Sequence, residues 1–276
     1  MSSSQSISVV IRVKNEAPTL RTVLWALEAQ DLKPLEIVVV DNESSDDSRA
    51  VAAQYGAKIL GISRADFTYG RALNLGIENT PGEFICILSA HSLPIGPGFL
   101  RSAVAPFNDD KVAAVRCLSV TSRHEMENWT QPRMLEWPQD IETVISSAPV
   151  NCASMIRRSV WKEIPYDETL ASVEDKFWAF RVLKSGYRIC NSTAVYLYLR
   201  DLGFGEKVRS LHRDRLEFFR KTGCQWQEPP VSMIRLLSNA FYKIPRRAFR
   251  AAVYEAALYI CLKTIPYQLR TKKKIS

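Results

Sequence analysis

Residues 84–94 read FICILSAHSLP, an apolar segment that runs directly into a short polar turn closed by proline. Residues 84–88 are almost all strand-forming, which predicts a central strand that helices cover on both faces. The Ser-Ala-His turn at residues 89–91 follows where this strand leaves the sheet. Because open α/β sheets bind ligands at the carboxyl ends of their strands, the turn is a candidate binding site, although an ordinary strand exit has the same composition.

Apolar strand-like segments alternate with amphipathic segments on both sides of this stretch. Before it, strands are predicted at residues 7–13, 35–40 and 58–62, each followed by a helix. This order predicts a Rossmann-like α/β fold with a mostly parallel central sheet and helices on both faces. After it, strands are predicted at 112–120, 151–158 and 187–199, and helices at 97–107, 174–184 and 206–221.

The composition limits the size and class of the protein. The 276 residues are 46% hydrophobic, enough for one main domain, predicted at 1–228, and a shorter C-terminal segment at 229–276. The 6 cysteines are scattered without the spacing of a zinc site, so we expect reduced thiols. The N-terminal apolar segment is short and contains an arginine, unlike a signal peptide, and we expect a cytoplasmic protein.

Positive charge is concentrated in the C-terminal segment. The net charge is +8, but residues 235–276 carry ten Lys or Arg against one Glu, which gives +9 there and leaves about −1 for the rest. A nearly neutral body argues against nucleic-acid binding. Because basic residues interrupt every apolar run before about 18 residues, we predict an amphipathic helical tail at an anionic membrane surface rather than a spanning helix. A helix pair packed on the main domain and a dimer interface are the competing interpretations.

Two common nucleotide-binding motifs are missing from the sequence. No GxGxxG follows the first strand and no GxxxxGKS or GxxxxGKT occurs, which argues against a dinucleotide dehydrogenase and a P-loop enzyme. Polar residues stand instead at predicted strand ends: Asn15 with Glu16, Asp41, and Ser89 with His91. An acidic group at such an edge can bind a base or ribose, and a helix N-terminus can bind a phosphate.

Four sequence blocks carry a resemblance to a known family. They are ISVVIRVKNEAPTL, EIVVVDNESSDDS, GRALNLGIENTPGEFICILSAHSLP and SVEDKFWAFRVLKSGYRI, which together extend over roughly residues 7 to 190. In order and spacing they resemble the signature blocks of glycosyltransferase family 2, and the third is most similar to the rhamnosyltransferase-like branch. The resemblance implies a GT-A fold, a nucleotide-diphosphate-sugar donor and inversion at the anomeric carbon.

The resemblance also implies roles for individual polar residues. Arg12 and Glu16 fall in the family's first nucleotide-contacting loop, and Asn15, beside Glu16 at the strand end, is a further candidate nucleotide contact. Asp41 falls where a carboxylate accepts a hydrogen bond from the base, and Arg71 matches an arginine that reaches back to the nucleotide. Without the resemblance, Asp41 is interpreted as a turn residue before a helix and Arg71 as a surface residue of a first helical turn.

The turn at residues 89–91 departs from the family pattern. The family usually has Asp-x-Asp there, and its carboxylate ligates a divalent metal that bridges the donor's phosphates. In this chain Ser89 remains a candidate nucleotide contact, while His91 and His212 are candidate ligands for Mn²⁺ or Mg²⁺. An imidazole suits Mn²⁺ better than Mg²⁺, so metal dependence stays open. The alternatives are a hydrogen-bonded turn histidine at 91 and a surface histidine at 212.

Glu174 and Asp175, called here the acidic pair, are predicted to begin an amphipathic helix. Acidic residues in a first helical turn are also what the helix dipole favours. In the family this pair supplies the catalytic base, and we assign that role to Asp175 with Glu174 as the second candidate. A carboxylate can accept the proton that an attacking hydroxyl loses.

These features predict a cytoplasmic enzyme, peripheral on the inner face of the cell membrane. Its predicted reaction moves a sugar from a nucleotide donor to a saccharide or lipid-linked acceptor in polysaccharide or glycolipid synthesis. A sugar-nucleotidyltransferase is the first alternative, but it would need a glycine- and lysine-rich loop where residues 14–18 read KNEAP. A non-catalytic nucleotide-sugar-binding subunit is the second, and the retained acidic pair argues against it.

We expect the intact chain to bind anionic liposomes at low salt and to be released at high salt. The reason is that each Lys or Arg near an acidic surface contributes roughly 1 kcal/mol, less when screened. Vesicle sedimentation measures this, and a version that ends at Pro230 is the control that should lose binding. An intact chain that ignores such vesicles at low salt would show that protein covers the apolar face of the tail.

Overall fold

The computed structural model describes residues 6–120, 134–137, 143–144, 148–200, 213–214, 217–218 and 220–223. The chain divides into two compact units, residues 1–200 and 201–276, and most of the described residues belong to the first. The predicted tail at 229–276 and His212 lie outside the described residues, and the predicted domain boundary after residue 228 stays a prediction.

The first unit contains nine described strands and six described helices. The strands are β1 (Ile7–Val13), β2 (Glu36–Asp41), β3 (Lys58–Gly61), β4 (Phe84–Ser89), β5 (Ser92–Pro94), β6 (Val112–Ser119), β7 (Met134–Leu135), β8 (Ala153–Arg157) and β9 (Arg188–Tyr198). The helices are α1 (Ala17–Glu28), α2 (Ser48–Gln54), α3 (Tyr69–Glu78), α4 (Phe99–Val104), α5 (Arg158–Glu163) and α6 (Glu174–Lys184), with a 3-10 turn at Ala105–Asn108. None of the helices in the described part of the chain is long and apolar enough to cross a membrane.

All these strands form one sheet in the order β3-β2-β1-β4-β8-β6-β9-β5, with β7 paired to β9. The strands β3, β2, β1 and β4 are parallel, as predicted from the alternation of strands and helices. Beyond β4 the pairing is mixed, because β8 runs antiparallel to both of its neighbours while β6 and β9 are parallel. The α/β class is therefore confirmed, and the continuous parallel part of the sheet is its N-terminal half.

Two apolar clusters cover the two faces of the sheet. One contains side chains of α1, α2 and α4, and the other contains side chains of α3, α5 and α6. Successive strand residues point to opposite faces, so Cys86 and Leu88 belong to the first cluster while Ile85 and Ile87 belong to the second. All six residues of β4 are buried, which confirms the central strand predicted from residues 84–88.

Strand register brings the polar residues to one edge of the sheet. Arg12 of β1 pairs with Ser89 of β4, and Val13 pairs with Asp41 of β2. The turn after β4 is held from both sides, since the Ala90 N–H donates to the Arg12 carbonyl at 3.3 Å and the Leu199 N–H donates to the His91 carbonyl at 2.8 Å. The carboxyl ends of β1, β2 and β4 therefore form one polar edge.

The loop that leads to α6 is fixed on α3 by Asn74. The Asn74 amide donates to the Tyr166 carbonyl at 3.0 Å and to Glu168 Oε1 at 2.9 Å, while its oxygen accepts from Trp161 Nε1 at 2.9 Å. The loop backbone comes so close that a Cβ on Gly70 would lie 2.5 Å from the Asp167 carbonyl oxygen. Helix α3 can hold this loop only because position 70 has no side chain.

We expect Gly70→Ala to lower the free energy of unfolding by about 1–3 kcal/mol, because the added methyl group collides with backbone rather than with a movable side chain. Urea denaturation measures the loss. The matched control is Gly61→Ala, where the nearest atom to an added Cβ is Arg49 Nη1 at 3.8 Å, an ordinary contact. Equal stability of the two variants would contradict the close packing of the loop on α3.

Candidate active site

The acidic pair begins α6 at a strained point of the backbone. Val173, the residue before the helix, has φ 60° and lies in the left-handed region, which a β-branched side chain rarely adopts. Strained residues of this kind persist only where the surrounding structure holds them, and they concentrate at functional sites. The backbone at residue 173 therefore sets the direction in which the helix and both carboxylates begin. The helix starts at Glu174, as predicted from the sequence.

The two carboxylates have different surroundings. Glu174 is only 6% exposed, accepts a hydrogen bond from Asn151 Nδ2 at 3.0 Å and lies 4.0 Å from Arg12 Nη1. Burial, and then the neighbouring Asp175, raise the pKa of Glu174 from 4.5 to about 7, against the opposing effects of Arg12 and Asn151. Asp175 is half-buried and accepts from the backbone N–H groups of Asn151 at 3.3 Å and Lys176 at 2.7 Å. Glu174 thus retains a proton at pH values where an ordinary carboxyl group has lost it.

Arg12 lies beside the acidic pair. Its Nη2 donates to the Asn151 carbonyl at 3.2 Å, and its guanidinium lies over the Tyr69 ring at 4.8 Å from the centroid. Its Nε and Nη1 are buried and have no hydrogen-bond acceptor among the described residues, so the 4.0 Å contact with Glu174 is an ion pair without a hydrogen bond. The residue predicted as a nucleotide contact therefore supplies positive charge next to the carboxylates, and its contact with nucleotide stays a prediction.

Asp41, the predicted contact with the base of the nucleotide, is 1% exposed and already has hydrogen-bond partners within the chain. Its carboxylate accepts from the Ser44 N–H at 3.3 Å and from Arg49 Nη1 at 3.1 Å. The next residue, Asn42, is 5% exposed, and its buried Oδ1 has no hydrogen-bond partner in the described part of the chain. Asn42 is a polar residue at this edge that the sequence reasoning missed, and its position directly after a strand was the available signal.

Asn15 joins two loops of the same edge. It has φ 54°, its N–H donates to Ser44 Oγ at 2.9 Å, and its Oδ1 accepts from the Ser45 N–H at 2.7 Å. The left-handed conformation is one that asparagine tolerates better than most residues. The loop after β1 is therefore tied to the loop after β2, and the predicted nucleotide role of Asn15 is not needed to explain its conformation.

His91 and Glu16 form a pair across the edge. His91 Nδ1 lies 2.9 Å and 3.0 Å from the two carboxylate oxygens of Glu16, and the imidazole ring packs edge-on against Tyr198 at 4.8 Å between centroids. Ser89, the other polar residue of the turn, has its Oγ 2.8 Å from Ser92 Oγ. The carboxylate contact favours a proton on Nδ1, which leaves Nε2 as the nitrogen that can bind a ligand.

The turn at residues 89–91 and the neighbouring Glu16 offer few atoms that could ligate a metal ion. Within the described ranges, no group of three or more His, Cys, Asp or Glu residues could hold a metal. The Glu16–His91 pair nevertheless has the arrangement in which a carboxylate orients an imidazole ligand. One imidazole nitrogen with oxygen ligands from a bound substrate suits Mn²⁺ better than Mg²⁺. His91 Nε2 is therefore the fitting donor, while His212 lies outside the described residues.

Arg71 lies on α3 and contacts the loop that leads to α6. Its Nε donates to Glu168 Oε2 at 3.0 Å, and its Nη1 donates to the Asp66 carbonyl at 3.3 Å. The side chain is 45% exposed, so it can exchange these partners for a ligand. Its predicted contact with a nucleotide stays a prediction.

Two solved structures share this fold. The mannosyltransferase PcManGT from Pyrobaculum calidifontis, in complex with GDP-Man and Mn²⁺, has a TM-score of 0.65 at 18% identity over 98% of this chain and 75% of its own. Glucosyl-3-phosphoglycerate synthase from Mycobacterium tuberculosis, with Mn²⁺, UDP and glucosyl-3-phosphoglycerate, has a TM-score of 0.59 at 16% identity over 81% of this chain and 82% of its own. The predicted GT-A fold is confirmed.

The sequence comparison identifies the family. The family described as glycosyl transferase family 2 matches residues 8–164, more than half of the chain, and the chain therefore belongs to glycosyltransferase family 2. Among its relatives is the O-antigen chain rhamnosyltransferase WbaN of Salmonella anatum, 27% identical over 202 residues. The match covers 67% of this chain and 62% of WbaN, so the chain spans less than two thirds of that relative's length.

The raised pKa of Glu174 predicts a pH-dependent cost to stability. Between pH 4.5 and about 7 the folded chain retains a proton that the unfolded chain has lost, so stability falls as pH rises through this window. Glu174→Gln resembles the protonated side chain and does not titrate. Its stability relative to the wild type should therefore increase through the window, by up to about 1.4 kcal/mol per pH unit, in urea denaturation from pH 4 to pH 8. A difference between the two proteins that is constant with pH would contradict the buried, proton-retaining Glu174.

Proposed function

We propose that this chain transfers a hexose or deoxyhexose from a nucleoside diphosphate sugar to a hydroxyl group of a saccharide or lipid-linked acceptor, with inversion at the anomeric carbon. The observation that carries the proposal is the acidic pair at the polar edge, where one carboxylate is buried and the other is half-exposed. Family membership and the relative named as an O-antigen chain rhamnosyltransferase support a role in polysaccharide synthesis.

Asp175 is the proposed base. As the acceptor oxygen attacks the anomeric carbon, Asp175 takes the hydroxyl proton, the bond from the anomeric carbon to the phosphate oxygen breaks, and the nucleoside diphosphate leaves with the electron pair. Attack opposite to the leaving group inverts the configuration. Each Asp175 oxygen accepts one backbone N–H, which leaves lone pairs for the acceptor hydroxyl.

The donor nucleotide is proposed to bind along the ends of β1, β2 and β4. Asp41 with Asn42, the loop at Asn15, and Arg71 are the polar groups available there for the base and ribose. A divalent metal, when bound, neutralises negative charge on the donor's diphosphate. His91 Nε2 would hold such an ion, and Glu16 would orient the imidazole ring.

The basic tail at 229–276, outside the described residues, is proposed to bring the enzyme to a cytoplasmic membrane surface. Its +9 charge at 235–276 supports attraction to acidic lipids, where a lipid-linked acceptor would be found. This proposal is independent of the chemistry at the acidic pair.

Asp175→Asn should reduce turnover by about 10²–10⁴ with donor affinity nearly unchanged, because it keeps the size of the side chain and removes its basicity. Steady-state kinetics and calorimetry with the donor measure the two quantities. The matched control is Asp110→Asn, at a fully exposed aspartate, which should keep wild-type turnover. Near wild-type turnover of Asp175→Asn would assign the base to Glu174 or to the substrate.

The transfer itself is tested by incubating the chain with a panel of nucleotide sugars and saccharide acceptors, with and without Mn²⁺. The expected result is release of a nucleoside diphosphate together with a glycoside of inverted anomeric configuration, detected by proton NMR. Products of retained configuration would contradict inversion, and transfer of a nucleotidyl group would contradict the proposed reaction.

A further inference from the structure

Asn151 lies in the turn before β8, and all four of its polar groups have partners. Its side-chain Nδ2 donates to Glu174 Oε1 at 3.0 Å, and its backbone N–H donates to Asp175 Oδ2 at 3.3 Å. Its carbonyl accepts from Arg12 Nη2 at 3.2 Å, and its side-chain Oδ1 accepts from the Tyr166 hydroxyl at 3.3 Å. At 3% exposure, it therefore gives one N–H to each member of the acidic pair.

We propose that Asn151 is a positioning residue of the transfer reaction, which holds the carboxylates of Glu174 and Asp175 in different orientations so that Asp175 alone meets the acceptor. The inference rests on the proposed function, because it assigns Asn151 to the same acidic pair.

The orientation of the Asn151 amide is set by Tyr166. A phenol that donates to Oδ1 requires Nδ2 to face the other way, towards Glu174. Burial, and then the charges of Asp175 and Glu174, raise the pKa of Tyr166 well above its usual value, so the phenol keeps the proton that it donates. Tyr166 thus prevents the amide from turning its oxygen towards the Glu174 carboxylate.

The hydrogen bond from Asn151 opposes the effect of burial on the pKa of Glu174. Burial and Asp175 of the same helix favour the proton on Glu174, whereas Arg12 of β1 and the Asn151 amide favour its loss. Removal of the amide leaves Arg12 as the one described charge that favours ionised Glu174, and Arg12 makes no hydrogen bond to it. The pKa of Glu174 should then rise further above its ordinary value.

Asn151→Ala removes both side-chain hydrogen bonds and keeps the backbone N–H to Asp175. We expect the pH-dependent loss of stability to continue about one pH unit higher than in the wild type, since a buried hydrogen bond to a charged group is worth about a tenfold change in ionisation. Tyr166→Phe, which only frees the amide to rotate, should shift the curve in the same direction by less. Asn79→Ala, which removes a hydrogen bond to the Leu75 carbonyl at the end of α3, is the matched control and should leave the pH of the transition unchanged.

The stability curve needs no substrate, so it tests Asn151 even if the proposed reaction is wrong. In kinetic assays, Asn151→Ala should lower kcat about tenfold or more at neutral pH, with the donor KM unchanged. A stability transition at the wild-type pH in both Asn151→Ala and Tyr166→Phe would overturn the inference and leave Asn151 as a packing residue. A shifted curve with unchanged kcat would likewise overturn the role in positioning.

Discussion

A buried carboxyl group, Glu174, and a half-buried one, Asp175, are neighbours at the start of one helix, and the charge of Asp175 opposes ionisation of Glu174. Such a pair is tolerated in a low-dielectric site when one member keeps its proton or when positive charge and hydrogen-bond donors surround it. The chain uses both solutions. Glu174 retains a proton to about pH 7, while Arg12 and Asn151 offset the remaining charge. The backbone around the pair keeps Glu174 buried and Asp175 partly exposed.

The elements that hold the acidic pair come from distant parts of the chain. Asn74 and Gly70 of α3 fix the loop before α6, and the left-handed Val173 turns that loop into the helix. Arg12 reaches the pair from β1 because residues alternate between the faces of a strand, which places its side chain on the α3 and α6 side. The strain at residue 173 is thus balanced by hydrogen bonds and packing elsewhere in the unit.

The local features of the fold were predictable from the sequence, and the pairings between side chains were not. The predicted start of α6 at Glu174 and the bounds of β1 agree with the structure because acidic residues in a first helical turn, helical periodicity and apolar runs are local signals. Strand β5 at residues 92–94 was missed because three residues are too few to show a period. The Glu16–His91 contact joins residues 75 positions apart, and only the register of β1 beside β4 brings them together. Asn151 gave no signal because its hydrogen bonds join it to three separate segments of the chain.

The most direct measurement of the central claim is carbon-13 NMR of side-chain carboxyl groups in protein labelled at glutamate and aspartate. We expect one glutamate resonance that titrates near pH 7 and is absent in Glu174→Gln. Glutamate resonances that all titrate below about pH 5, in the ordinary range, would contradict a buried Glu174 that keeps its proton beside Asp175.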